Sequence, residues 1–279
     1  MLTLFPSKRT ATCLNIREAS AGARSQAKAR LWSWAAPLLA FAMLGMSAPV
    51  GRAAEATLAP MPADLETRYA LSALPPALRE PASVFLLDPG KGYRLSRQGT
   101  SGVACLVERT AWELADFRND IYVPICFDAE GARTYLKAIM DAAALRAEGM
   151  GPVALKTEIE HRFQNRTYAV PGKAGVSYMV APVMRTVGPP EMKVHTMPMP
   201  HFMVYAPGVT NEDIGAAPDL GAPSSLLLPF IDRQGVAEHS YIILLVGEAE
   251  RARILADEKV LMDDLCAYRE VLCLEKSGH

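Results

Sequence analysis

The chain is poor in the features that usually announce a chemistry. Cysteine is scarce, at five in 279 residues. No two cysteines form a C-x-x-C pair and no paired histidines lie nearby, so the spacing of a zinc site is missing. An excess of charge of one sign is missing too. The formal net charge is −1, which gives no case for bulk nucleic-acid binding. The chain has no Walker or dinucleotide glycine pattern, no G-x-S-x-G elbow and no internal repeat. Long apolar runs are lacking except for one, which excludes a multi-span membrane protein. Half of the residues are hydrophobic and 21% are charged. These are globular proportions, and they exclude a disordered acidic tail, a collagen and a coiled coil.

The one long apolar run lies near the N-terminus. Before it stand Lys8, Arg9, Arg17, Arg24, Lys28 and Arg30 against a single acid, Glu18. Leu31 to Gly51 carries no charge, and Ala54-Glu55-Ala56 supplies an A-x-A site. A basic region, an apolar region and a small-residue site are the parts of an export signal. Residues 1–56 are therefore read as a signal peptide cleaved after Ala56, with a periplasmic or secreted destination. The alternative is an uncleaved anchor over residues 31–48, at the lower limit of a spanning helix. Six positive charges ahead of that run would hold its N-terminus in the cytoplasm, so both readings export the remainder. Without residues 1–56 the chain has 22 basic and 28 acidic residues, a net −6. A polybasic role at a membrane surface or on DNA is then further excluded.

Four cysteines remain beyond the signal: Cys105, Cys126, Cys266 and Cys273. An even number suits an oxidising compartment. Local pairing is expected, Cys105 with Cys126 and Cys266 with Cys273. The second pair carries a condition. Seven residues along an unbroken helix separate Cα atoms by about 10 Å, too far for a disulfide. The last helix must end between them.

Residues 57–82 are rich in proline and alanine and read as a lead-in with one short helix near 64–73. Residues 83–279 read as a single α+β domain with a mostly antiparallel sheet, two central helices and a C-terminal helix. Strands are expected at 84–87, 93–98 and 103–108, joined as an antiparallel meander through the turn Asp88-Pro89-Gly90-Lys91-Gly92. Another strand covers 121–127. Helices follow at 132–148, stopped by Gly149, and from Pro152 with a buried stripe of Leu155, Ile159 and Phe163. Residues 176–187 form one long β-like run. Tyr241–Val246 is the most apolar strand and is expected at the centre of the sheet. Residues 248–268 form the last helix.

Methionine is distributed unevenly. Met179, Met184, Met192, Met197, Met199 and Met203 fall within one window. Inside it, His195, Met197, Met199, His201 and Met203 alternate with residues that coordinate weakly. In one extended strand all five would share a face. Thioether sulfur is a soft donor suited to Cu(I), and imidazole accepts Cu(I) or Cu(II). The stretch is similar in residue types to the Met/His clusters of bacterial copper-handling proteins, which makes copper the expected metal. Methionine is also a flexible core filler, and Pro198 and Pro200 disfavour a regular interior strand.

Three functions follow as expectations. The first is an exported binding protein for a small ligand or metal. The second is a secreted hydrolase with a pocket in residues 188–229 and His195 or His201 as general base. The third is an envelope interaction module tethered by residues 31–48. Asn211, Glu212, Asp213 and Asp219 lack calcium-loop spacing and read as a solvated loop, and His161 reads as a surface residue.

Overall fold

Seven residues after the expected cleavage point the chain is already helical, and in the computed structural model, which describes residues 58–274, the elements run as follows. Helix α1 (Ala63–Ser72) precedes strands β1 (Ser83–Asp88), β2 (Gly92–Arg97), β3 (Ala104–Glu108) and β4 (Val123–Phe127). Helices α2 (Ala129–Thr134), α3 (Leu136–Ala147) and α4 (Pro152–Gln164) come next. Strands β5 (Val176–Met179), β6 (Met184–Gly188), β7 (Lys193–Met197), β8 (His201–Tyr205), β9 (Phe230–Arg233) and β10 (Ser240–Leu245) follow. Helices α5 (Glu248–Asp257) and α6 (Lys259–Tyr268) complete the order. The signal peptide, its cleavage site and the alternative anchor lie outside the described residues. Among the described residues no helix is long and apolar enough to cross a membrane.

Eight strands form one sheet in the order β2-β1-β3-β4-β5-β8-β10-β9, and β6 and β7 form a separate hairpin. The pairing is antiparallel except between β1 and β3. This is the expected α+β class, with five corrections. The first three strands are not a meander: β3 returns beside β1 and runs parallel to it, Ser83 opposite Ala104. The long run 176–187 is two strands in two sheets. β10 is paired on both sides but stands next to the edge strand β9, not at the centre. The last helix breaks at Glu258 (φ −99°, ψ 15°), whose carboxylate is held by Arg79 at 2.6 Å. The helix expected from 132 starts earlier as α2 and restarts after Tyr135, whose hydroxyl donates to the Ser240 carbonyl at 3.1 Å.

Strand alternation sorts side chains onto two faces. Cys105, Val107 and Cys126 face α1 and α6, where Tyr69, Leu74 and Leu265 are fully buried. Leu106, Ile125, Phe127, Met203 and Ile243 face α3 and the β6–β7 hairpin. Helix α4 enters from Pro152 at its first turn and buries Leu155, Ile159 and Phe163, the stripe its spacing predicts. Gly149 takes φ 90°, the left-handed stop expected after α3.

Both disulfides form as expected. Cys105 lies directly across from Cys126 in the β3–β4 ladder, with Cα atoms 4.1 Å apart. For Cys266 and Cys273 the stated condition is met. Helix α6 ends at Tyr268, Arg269 turns extended (φ −149°, ψ 124°), and the Cα atoms approach to 4.5 Å.

Helix α1 also buries a carboxyl. Glu66 is 2% exposed, and its Oε1 accepts from the Leu87 amide at 2.9 Å. Burial pushes its pKa up from 4.5 to about 6, against the opposing pull of that hydrogen bond and of Arg109. The folded state therefore holds this proton more tightly than the unfolded chain. The stabilisation is complete below 4.5 and is lost as pH rises through about 6, a difference of about 2 kcal/mol. Glu66→Gln keeps the acceptor for Leu87 and removes the titration. Urea unfolding should show it more stable than the parent by about 2 kcal/mol at about pH 8 and equal at about pH 4. A constant difference at both pH values would refute the assignment.

Candidate functional site

The face of the sheet that carries Leu106 and Met203 does not close completely. The sheet curls so that residues from β3, β4, β5, β8, β10 and β9 line one cleft of about 260 Å³, with Tyr135 and Ile139 also on its wall. Curling of this kind follows from the cumulative right-handed twist of adjacent strands. It brings Glu108, at the end of β3, and Asp232, on the far edge strand β9, into the same site.

The Met/His run does not form a single ribbon. β7 pairs with β6 in the hairpin, and β8 pairs with β5 and β10 in the main sheet. The chain crosses between them at Pro198, Met199 and Pro200, where two prolines leave no amide to pair. His195 and Met197 stay on the hairpin beside Gly188. Met197 is buried opposite Met184, and neither His195 nor Met197 lines the cleft. Met199, His201 and Met203 do line it, together with Met179 from β5 and Met184 from β6. The structure thus brings together three of the five expected donors and adds two others. Methionine density in the sequence marked Met179 and Met184, but strand parity could not assign them to the site.

His201 is 3% exposed, and its Nδ1 lies 2.8 Å from the Met199 carbonyl. A carbonyl only accepts, so Nδ1 carries the proton and Nε2 keeps its lone pair. Nε2 has no hydrogen-bond partner among the described residues. Burial pulls the ring's pKa down and so favours the neutral form, against the opposing effect of the bond to the Met199 carbonyl. His195 shows the same local geometry, with Nδ1 3.0 Å from the Lys193 carbonyl.

The cleft also carries three acids. Glu108, Glu113 and Asp232 line it beside Gln234 and Tyr241. Burial raises the pKa of Glu108 well above the usual range, and neighbouring Glu113 adds to the effect. Glu113 is raised by burial first, with Asp232 adding and Lys156 opposing. Asp232 is raised by burial, against a hydrogen bond from Tyr241 and the amide of Arg233. Glu113 and Asp232 are themselves exposed to solvent, so water screens both charges and the effect of burial on them is discounted. The three acids lie far apart in sequence and carry no motif, so sequence reasoning missed them.

The arrangement expected of a hydrolase is not formed among the described residues. Both histidines of the run give Nδ1 to a backbone carbonyl rather than a carboxylate. Ser177, on the cleft wall, bonds the Tyr205 hydroxyl at 3.0 Å, and that hydroxyl donates to Asp128. Asp128 in turn caps α2 through the Gly131 amide and holds the Val176 amide, so this serine belongs to a structural network. His239 is a core histidine against Phe163 and Tyr135, and His161 is exposed on α4. In the acidic loop, Asp213 accepts from the Thr210 amide and hydroxyl and stays exposed. Among the described residues no group of three or more His, Cys, Asp or Glu side chains can hold a metal ion. A metal bound in the cleft would therefore need thioether ligands.

No family model, no curated protein and no solved structure matches the chain.

Proposed function

We propose that the chain is an exported binding protein, periplasmic or secreted, whose cleft holds Cu(I) through Nε2 of His201 and the thioethers of Met199 and Met203. Met179 and Met184 supply further sulfur on the same wall. The N-terminal pattern of basic, apolar and A-x-A segments supports export, and two disulfides suit an oxidising compartment. The observation that carries the copper reading is the His201 bond to the Met199 carbonyl inside a methionine-lined cleft. Such an outer bond fixes the tautomer and orients the free nitrogen, as it does for metal-ligating histidines generally. Soft thioethers with one imidazole favour Cu(I) over hard cations.

The test is anaerobic Cu(I) titration of the purified protein against a chromophoric chelator. One Cu(I) per chain is expected. A Met199→Leu/Met203→Leu variant should bind at least about tenfold more weakly, whereas Met197→Leu should match the parent, because Met197 does not line the cleft. Equal affinity in the double variant, or equal loss in Met197→Leu, would refute this site.

A further inference from the structure

The acids of the cleft are not needed by a soft metal held by its methionines. Glu108, Glu113 and Asp232 form no ion pair among the described residues. Lys156 acts on Glu113, and Arg233 on Asp232, only through space. Two further acceptors line the same cleft without a donor. Gln234 Oε1 is buried and unpartnered. His201, 3% exposed, has its Nε2 unpartnered as described above. A buried acceptor left unsatisfied costs free energy until a donor reaches it. Glu108, Glu113, Asp232 and Gln234 thus bring acceptors and negative charge into the cleft, while Ile125, Ile139 and Ile243 line it with apolar surface.

Resting on the reading of this cleft as the ligand site, we propose that it also takes a small organic cation, an ammonium group on an apolar body. The N–H donors face Glu113, Asp232 and Gln234, and the apolar body lies along the isoleucines. An ammonium group has three donors and no acceptor, which matches this set. Charge-assisted bonds to carboxylates are the strong ones in a site partly shielded from water. The carboxyl pKa values are raised first by burial, with a neighbouring acid adding for Glu108 and Glu113 and Lys156 and Arg233 opposing for Glu113 and Asp232. A volume of about 260 Å³ lies just below the range of roughly 300–1,000 Å³ typical of drug-sized ligands. The ligand is accordingly a small one.

The probe is phenethylamine, with phenylethanol and phenylacetate as neutral and anionic controls, followed by calorimetric titration of the purified protein. Saturable binding of phenethylamine is expected, with neither control binding comparably. A Glu113→Gln/Asp232→Asn variant should weaken phenethylamine by at least about tenfold and leave Cu(I) affinity unchanged. Those isosteres remove crowded charge, so the fold should persist, and the three-ligand comparison on the parent protein needs no variant. Phenylethanol binding as well as phenethylamine, or amine affinity unchanged in the double variant, would overturn the cation site. Cu(I) binding retained with no amine binding would overturn it alone. Loss of both in the parent protein would overturn it together with the copper reading.

Discussion

Replacing Gly99 with alanine should cost at least about 3 kcal/mol of stability, by forcing atoms into a site that has no room. A Cβ at this position would lie well inside the van der Waals radii of the Pro81 carbonyl oxygen, the Ala82 carbonyl carbon and the Ser83 nitrogen. All three are backbone atoms, so no side chain can swing aside. The local hydrogen bonds add to the rigidity. The Gly99 amide donates to Ser83 Oγ at 2.9 Å, and the Thr100 and Ser101 amides both donate to the Pro81 carbonyl. Ser83 opens β1, the strand held between β2 and β3. The substitution therefore strikes where the chain enters the sheet. Urea unfolding checks it, and a loss under about 1 kcal/mol would show that the backbone yields more easily than argued.

Removing the Cys105–Cys126 bond as Cys105→Ala/Cys126→Ala should destabilise the protein by about 3.4 kcal/mol on loop-closure grounds alone. Both residues are fully buried, so cavity terms add to that figure. The shorter Cys266–Cys273 loop should be worth less, about 2.5 kcal/mol by the same reasoning. The order of the two losses in denaturant unfolding is the measurement. A larger loss for the C-terminal pair would contradict the entropic account. Cys126 points to the α1 side of β4, whereas Val123, Ile125 and Phe127 line the cleft. Cu(I) affinity of the folded Cys105→Ala/Cys126→Ala protein should accordingly stay at the parent value.

Local features were legible from the residues because their causes are local. Pro152 opens α4, Gly149 ends the preceding turn, and Leu155, Ile159 and Phe163 mark the buried face. The C-terminal disulfide was expected on a geometric condition, and the structure meets it at Arg269. The Met/His run was legible as a concentration of donors but not as a site. Parity within a strand holds only while the strand is unbroken, and Pro198 to Pro200 carry the chain from one sheet to another. His195 and Met197 stayed with the hairpin for that reason, and Met179 and Met184 replaced them.

By itself, the sequence determined composition and most helix positions, and it raised the α+β class, local cysteine pairing and export as expectations. The helix positions depend on neighbours within a few turns of chain. Tertiary structure alone decided that β3 lies parallel to β1, that β10 stands beside an edge strand, and that one cleft joins His201 to Glu108, Glu113 and Asp232. Those outcomes arise from non-local strand pairing and the accumulated twist of an eight-stranded sheet, which local residue patterns do not encode.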